Sequence, residues 1–156
     1  MGDRSSSPIV WIAAALVVLL FLRHSQVGGP APDFALRGAY GGEYSLDSFR
    51  GKPVLLVFWT TSCSICRHEL PVLDNLFPDA MRNGVEIAAV NIGDADGARE
   101  VLRPMHLLNL VDADGSAARS YGVSGVPKLI LIGADGKIKR SQSGWTREAA
   151  LRNWLQ

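Results

Sequence analysis

The chain's two cysteines, Cys63 and Cys66, stand three positions apart with Ser64 and Ile65 between them. On a helix, residues at i and i+3 share a face with Cβ atoms about 5–6 Å apart, so a small adjustment brings the sulfurs into bridging range. A disulfide closing so short a loop restricts the unfolded chain little, which makes a structural crosslink the weaker use of the pair. Two thiols are also too few for a four-thiolate zinc site or a disulfide-dense scaffold. Reversible thiol–disulfide exchange is the chemistry that remains. If a helix begins at Cys63, its unpaired N–H groups and the positive end of its dipole favour that thiolate. Cys66 lies one turn in, more covered, and keeps its proton longer. Cys63 is then the attacking sulfur and Cys66 the resolving one. Glu69 is three positions further on and shares the face of Cys66. A carboxylate partly buried there would have a raised pKa and could relay a proton to the resolving thiol.

The surrounding pattern supplies elements that would hold such a helix. Phe34–Leu36 and Glu43–Leu46 flank a Gly-rich turn and predict a hairpin. Pro53–Trp59 is a continuous apolar run of β-forming residues, the pattern of a strand buried on both faces, and Val85–Ile92 is a second. The helix starting at Cys63 carries Leu70, Leu73 and Phe77 at helical spacing, with Pro71 expected to kink it. Ala95–Met105 has helical character, Leu107–Val111 is extended, and Ser116–Tyr121 reads as one or two helical turns ended by Gly122. Pro127–Ile132 and Lys137–Ser143 form a strand pair around Ala134–Gly136. Thr146 is expected to cap a last helix with Ala150, Leu151, Trp154 and Leu155 on its apolar face. Strands alternating with helices imply an α/β fold, a central mixed sheet flanked by helices.

With 156 residues the chain has room for one domain and little else, and 47% hydrophobic against 20% charged residues fits a packed core. A net charge of +1 without a basic stripe leaves no electrostatic footprint for nucleic acid. Ile9–Leu22 is unbroken by charge or Gly. It is shorter than the roughly 20 residues that span a bilayer comfortably, and its length suits a signal-peptide core. An A-x-A cleavage pattern is missing after Leu22, and Arg23 can snorkel. The expectation is an uncleaved anchor, with cleavage as the alternative, and an exported domain in either case. Residues 1–24 are assigned to the signal or anchor, 25–32 to a linker and 33–156 to the folded domain.

Phe58–Pro71 (FWTTSCSICRHELP) resembles the active-site segment of thioredoxin-fold proteins. Within that fold it is most similar to the TlpA/ResA-like group of membrane-anchored, extracytoplasmic thiol–disulfide oxidoreductases. The resemblance runs from Ala31 to the C-terminus. It includes Ala31–Phe34, Ser48–Lys52, Gly84–Ile87 and Tyr121–Pro127 in order. It implies a thioredoxin fold with an N-terminal β-hairpin extension and an N-terminal hydrophobic helix. Pro127 would be a cis-proline beside the disulfide, with the Val126 backbone presented to a substrate peptide. A glutamate near the active site at position 69 also belongs to the pattern. Trp59 is placed under the site and grouped with Val126 and Pro127 as a substrate-side candidate. The resemblance further implies exported protein thiols as clients, such as apocytochrome c or copper-site cysteines, and a membrane electron donor. The redox group is the Cys63–Cys66 disulfide itself, with neither cofactor nor metal expected.

The sequence departs from thioredoxins proper in several places. The buried acid six residues before the first cysteine is replaced by Val57, which shifts the proton role towards Glu69. Ser62 stands where Trp is usual, Ile65 where Pro is usual, and Lys128 where Thr is commoner. Two other functions compete. A copper(I) chaperone would use Cys63, Cys66 and a distant His106, although that class spaces its cysteines with three residues between. A peroxiredoxin shares Ala31–Phe34 and Thr60, but Leu56 occupies the position of its required proline.

Overall fold

A computed structural model describes residues 10–12 and 27–156. The anchor expected at 1–24 lies outside the described residues, apart from 10–12. No helix among the described residues is long and apolar enough to cross a membrane.

Seven strands form one mixed sheet: β1 Ala35–Gly38, β2 Glu43–Ser45, β3 Val54–Trp59, β4 Glu86–Ile92, β5 Leu108–Asp112, β6 Lys128–Ile132 and β7 Ile138–Ser143. Their order is β2-β1-β5-β4-β3-β6-β7. The centre, β3-β4-β5, is parallel, and β6 runs antiparallel to β3. Among the described residues, four α-helices flank the sheet: α1 Ser64–Arg82, α2 Ala95–Leu102, α3 Ser116–Ser120 and α4 Glu148–Trp154. The thioredoxin-like fold and the hairpin extension are as the sequence predicts.

All six residues of β3 are buried, because alternate side chains feed two cores. Leu55, Val57 and Trp59 pack with Cys66, Leu70 and Leu73 of α1 and with Leu151 of α4. Val54, Leu56 and Phe58 pack on the other face with Phe34, Phe49 and Tyr121. Strand β3 is therefore clamped from both sides. The loop leaving its C-terminal end starts from a rigid base.

Element ends differ from the sequence pattern where local chemistry intervenes. Leu46 leaves β2 for a short 3-10 helix, Leu46–Phe49, as Ser45 and Ser48 form a capping box. Helix α2 stops at Leu102, just ahead of Arg103-Pro104: Arg103 is still helical in φ and ψ, but Pro104 has no N–H to continue the ladder, and Met105 N–H turns to the Leu102 carbonyl at 2.9 Å. Helix α1 continues through both Pro71 and Pro78.

Thr146 does not cap α4. Arg147 holds that position without a side-chain bond, and the Thr146 N–H is turned towards Glu69 instead.

Residues 28–30 of the segment expected as a linker are also placed. Gly28 N–H donates to the Ile138 carbonyl at 2.7 Å, Ile138 N–H to Gly29 at 2.9 Å, and Pro30 bridges Lys137. Ile138 pairs with Ile132, and Ile132 with Val54. The linker thus attaches at the end of the sheet where β3 begins.

Candidate active site

The redox pair is built at the opposite end, where β3 finishes. Cys63 is the N-cap of α1, with extended backbone (φ −80°, ψ 104°), and Cys66 lies in the first turn. The two are disulfide-bonded with Cα atoms 5.3 Å apart. Cys66 N–H points at Cys63 Sγ across 3.1 Å, so the sulfur takes the place that a capping oxygen usually fills. That bond and the helix dipole both favour negative charge on Cys63. The chain around it is fixed by Cys63 N–H to the Thr60 carbonyl at 3.2 Å and Arg67 N–H to the Cys63 carbonyl at 3.1 Å. Cys63 is half-buried, whereas Cys66 is only 1% exposed. The two sulfurs therefore differ in access and in charge stabilisation.

The antiparallel pairing of Phe58 with Lys128 sets the start of β6 beside the end of β3. The residue before Lys128 is Pro127, and the Val126–Pro127 peptide is cis. The Val126 carbonyl oxygen lies 3.8 Å from Cys63 Sγ. Pairing of Lys128 with Ser143 brings the end of β7 to the same place, and Gly144 N–H donates to the Pro127 carbonyl at 2.8 Å. Lys128 itself is half-buried, with Nζ on Ser143 Oγ at 3.1 Å.

Glu69 is fully enclosed. Its Oε1 accepts the Thr146 N–H at 2.8 Å, and Oε2 has no partner among the described residues. Burial pushes this carboxyl above the usual glutamate range, and the hydrogen bonds from Thr146 offset part of the rise. Trp59, grouped in the sequence with the substrate-side residues, is also wholly buried. It supports the site from beneath and offers no surface to a client.

His106, the third ligand of the copper(I) alternative, is not brought to the cysteines. Its N–H donates to Asp74 Oδ1 at 2.6 Å and its ring stacks on Phe77 at 5.6 Å. Asp74 lies roughly 16 Å along α1 from Cys63 at the helical rise per residue.

Several residues that hold the site carry no periodic signal in the sequence. Thr61 Oγ1, in the loop before Cys63, donates to Asp94 Oδ2 at 2.9 Å. Asp94 also caps α2 by accepting Gly97 N–H at 3.0 Å, and its own N–H donates to buried Asn91 at 2.9 Å. The bonds from Gly97, foremost, and Thr61 hold the Asp94 carboxyl below its usual range. Asp94 directly before the helical run from Ala95 was the available clue to a cap; its tie to Thr61 was not legible.

The AhpC/TSA family profile matches residues 27–141. A thiol–disulfide oxidoreductase ResA from Geobacillus thermodenitrificans is 35% identical over 133 residues, 83% of this chain and 76% of that protein. The ResA of Bacillus subtilis is 31% identical over 131 residues, 82% of this chain and 73% of its own length. Among solved structures, the exposed lipoprotein thioredoxin of Streptococcus pneumoniae superposes with a TM-score of 0.68 at 29% identity, covering 80% of this chain and 98% of that one. A redox-paired Cys63–Cys66 at a helix N-terminus, beside a cis-proline, agrees with that kinship. The chain belongs to the AhpC/TSA family and, within it, is a thiol–disulfide oxidoreductase of the ResA kind.

Proposed function

We propose that the protein is an exported oxidoreductase that reduces or exchanges disulfides in extracytoplasmic proteins, with residues 33–156 as its catalytic domain. The observation that carries the reading is the asymmetry of the pair: Cys63 is half-buried and receives an N–H at 3.1 Å, while Cys66 is only 1% exposed. In the reduced enzyme the Cys63 thiolate attacks one sulfur of a client disulfide. The client S–S bond breaks, a Cys63–client mixed disulfide forms, and the departing client sulfur takes up a proton. Cys66 then gives its proton to the Glu69 carboxylate and attacks Cys63 Sγ. The Cys63–Cys66 disulfide closes, and the client leaves reduced by two electrons.

The Val126 carbonyl lies 3.8 Å from Cys63 Sγ ahead of the buried Pro127, and an extended client strand would lie against that backbone. An oxidising exterior makes a dithiol reductant dependent on a supply of electrons. A membrane donor is the corresponding partner, and Ile9–Leu22 would keep the domain at the bilayer. The apolar run itself supports that placement, as does similarity to an exposed lipoprotein thioredoxin. Apocytochrome c and copper-site cysteines are the client types in view.

The reduction potential of the Cys63–Cys66 couple tests the direction. A value as low as the reducing thioredoxins, about −270 mV, supports client reduction. A value near the strongly oxidising enzymes, about −120 mV, would overturn it.

A further inference from the structure

Apart from residues 10–12 and Val27, the large hydrophobic side chains exposed among the described residues are Tyr40, Ile65, Met81 and Trp145. Two of these belong to the redox end of the molecule. Ile65, 49% exposed, stands between the cysteines and lies one helical turn ahead of Glu69, on the same flank of α1. Trp145, 48% exposed, is held between two backbone anchors. Gly144 on one side donates to the Pro127 carbonyl, and Thr146 on the other donates to Glu69. The flank of α1 that carries Ile65 and Glu69 is therefore the flank that the Trp145 segment meets. Trp145 thus presents about half of a large aromatic surface to solvent from a backbone fixed on both sides.

The charges nearby point one way. Lys128 adjoins Pro127, and Arg147 follows Thr146 with its side chain exposed. Arg147 has no carboxylate partner among the described residues, while Glu148 beside it is taken by Arg152 at 2.8 Å. Asp94, on the other side of the loop, is occupied by Thr61 and Gly97.

We propose that Trp145, with Ile65, is the specificity-determining wall of the site: it receives a large apolar residue next to the client's cysteine, with an acidic residue beyond it facing Lys128 and Arg147. The inference rests on the disulfide-exchange reading and names the client segment which that reading leaves open. It also gives a reason why Ser62 can occupy a position where an aromatic is usual. The docking aromatic comes from the β7–α4 loop instead.

The test uses the full chain, kept reduced by dithiothreitol, on three probes. Two are peptides closed by one disulfide, carrying either Leu-Asp or Ser-Lys after the attacked cysteine. The third is hydroxyethyl disulfide, which has no flanking residues. Wild-type enzyme is expected to favour the Leu-Asp peptide about tenfold in kcat/KM, mostly through KM, as burial of one apolar side chain allows. Trp145→Ala should cut kcat/KM on that peptide about tenfold more than on hydroxyethyl disulfide, and Trp145→Phe should restore most of the difference. Equal losses on all three probes, or a shifted pH profile in Trp145→Ala, would mean that the residue acts only by holding Thr146 on Glu69, and the inference fails. An undiminished peptide preference in Trp145→Ala also overturns it. Exchange with none of the probes would overturn the underlying activity as well, so the two failures are distinguishable.

Discussion

The Thr146 N–H donates to Glu69 Oε1 across 2.8 Å, joining the first turns of α1 to the loop ahead of α4, while Oε2 of the same carboxylate has no partner among the described residues. The acid is thus held by one oxygen and left without a hydrogen bond at the other. Its raised pKa means that the native state binds the proton more tightly than the unfolded chain does. Stability from this group is fully present below the ordinary value of 4.5 and is lost as pH rises through the raised one. Glu69→Gln keeps the acceptor for Thr146 but does not titrate. Its melting temperature should therefore fall less than the wild type's across that window, as read by thermal denaturation over a pH series.

The same variant separates the proton role from the structural one. Under the proposed proton relay, Gln at 69 removes the base of the resolving step, and breakdown of the mixed disulfide should slow by at least about tenfold, within the usual range for general base catalysis. Formation of the mixed disulfide should be affected far less. Stopped-flow with a single-disulfide client resolves the two phases, and equal slowing of both would remove Glu69 from the mechanism.

Unequal sulfurs give a trapping experiment. Cys66→Ala should accumulate a client bound to Cys63, seen by mass spectrometry and released by dithiothreitol. Cys63→Ala should capture nothing, because Cys66 is only 1% exposed. A client held on Cys66 would reverse the assigned roles.

Gly97 offers a substitution whose sign is unusual. Gly to Ala inside a helix ordinarily stabilises by about 1 kcal/mol. Here an added Cβ would meet Asp94 Oδ2 at 2.3 Å and Thr61 Cγ2 at 2.8 Å, in a carboxylate already fixed by two hydrogen bonds. Gly97→Ala should instead lower the melting temperature by about 4 °C, the equivalent of about 1 kcal/mol in a domain of this size. Faster amide exchange at Thr61–Cys63 should accompany it, because the Thr61–Asp94 tie holds that loop.

On the far face of the sheet, the Tyr121 hydroxyl donates to the Pro32 carbonyl at 2.6 Å, and burial keeps this phenol protonated well past its usual range. Tyr121→Phe should cost about 1 kcal/mol, the ordinary value of one hydrogen bond, and leave exchange kinetics unchanged. A kinetic effect would show that this face communicates with the thiols.

Much of the site was legible because its logic is local. A CxxC following a doubly buried strand places Cys63 at a helix start, and helical spacing alone carries Glu69 to the buried side. The continuous apolar run before Trp59 marks the central strand. Contacts between distant parts of the chain were legible only where the family resemblance supplied them, as at Val126–Pro127. Thr146 reads as a helix cap from its neighbours, yet its N–H is taken by an acid far back in the sequence. Trp145 carried no pattern beyond a large aromatic after a glycine, and only the pairing of β7 with β6 brings it to Pro127. The Thr61–Asp94 bond needs the parallel register of β3 and β4. Trp59 was drawn towards the substrate by its closeness to the cysteines along the chain, while strand alternation turns it inward.

The pinned linker has a consequence of its own. Gly28–Ala31 is fastened to Gly136–Ile138 at the end of the sheet where β3 begins, roughly 20 Å of strand from the loop that carries Cys63. Anything that precedes Gly28 therefore leaves from the pole facing away from the thiols. A bead, a fusion partner or a lipid surface attached there would present the redox end outward, and immobilised enzyme should turn over small disulfides as fast as free enzyme does.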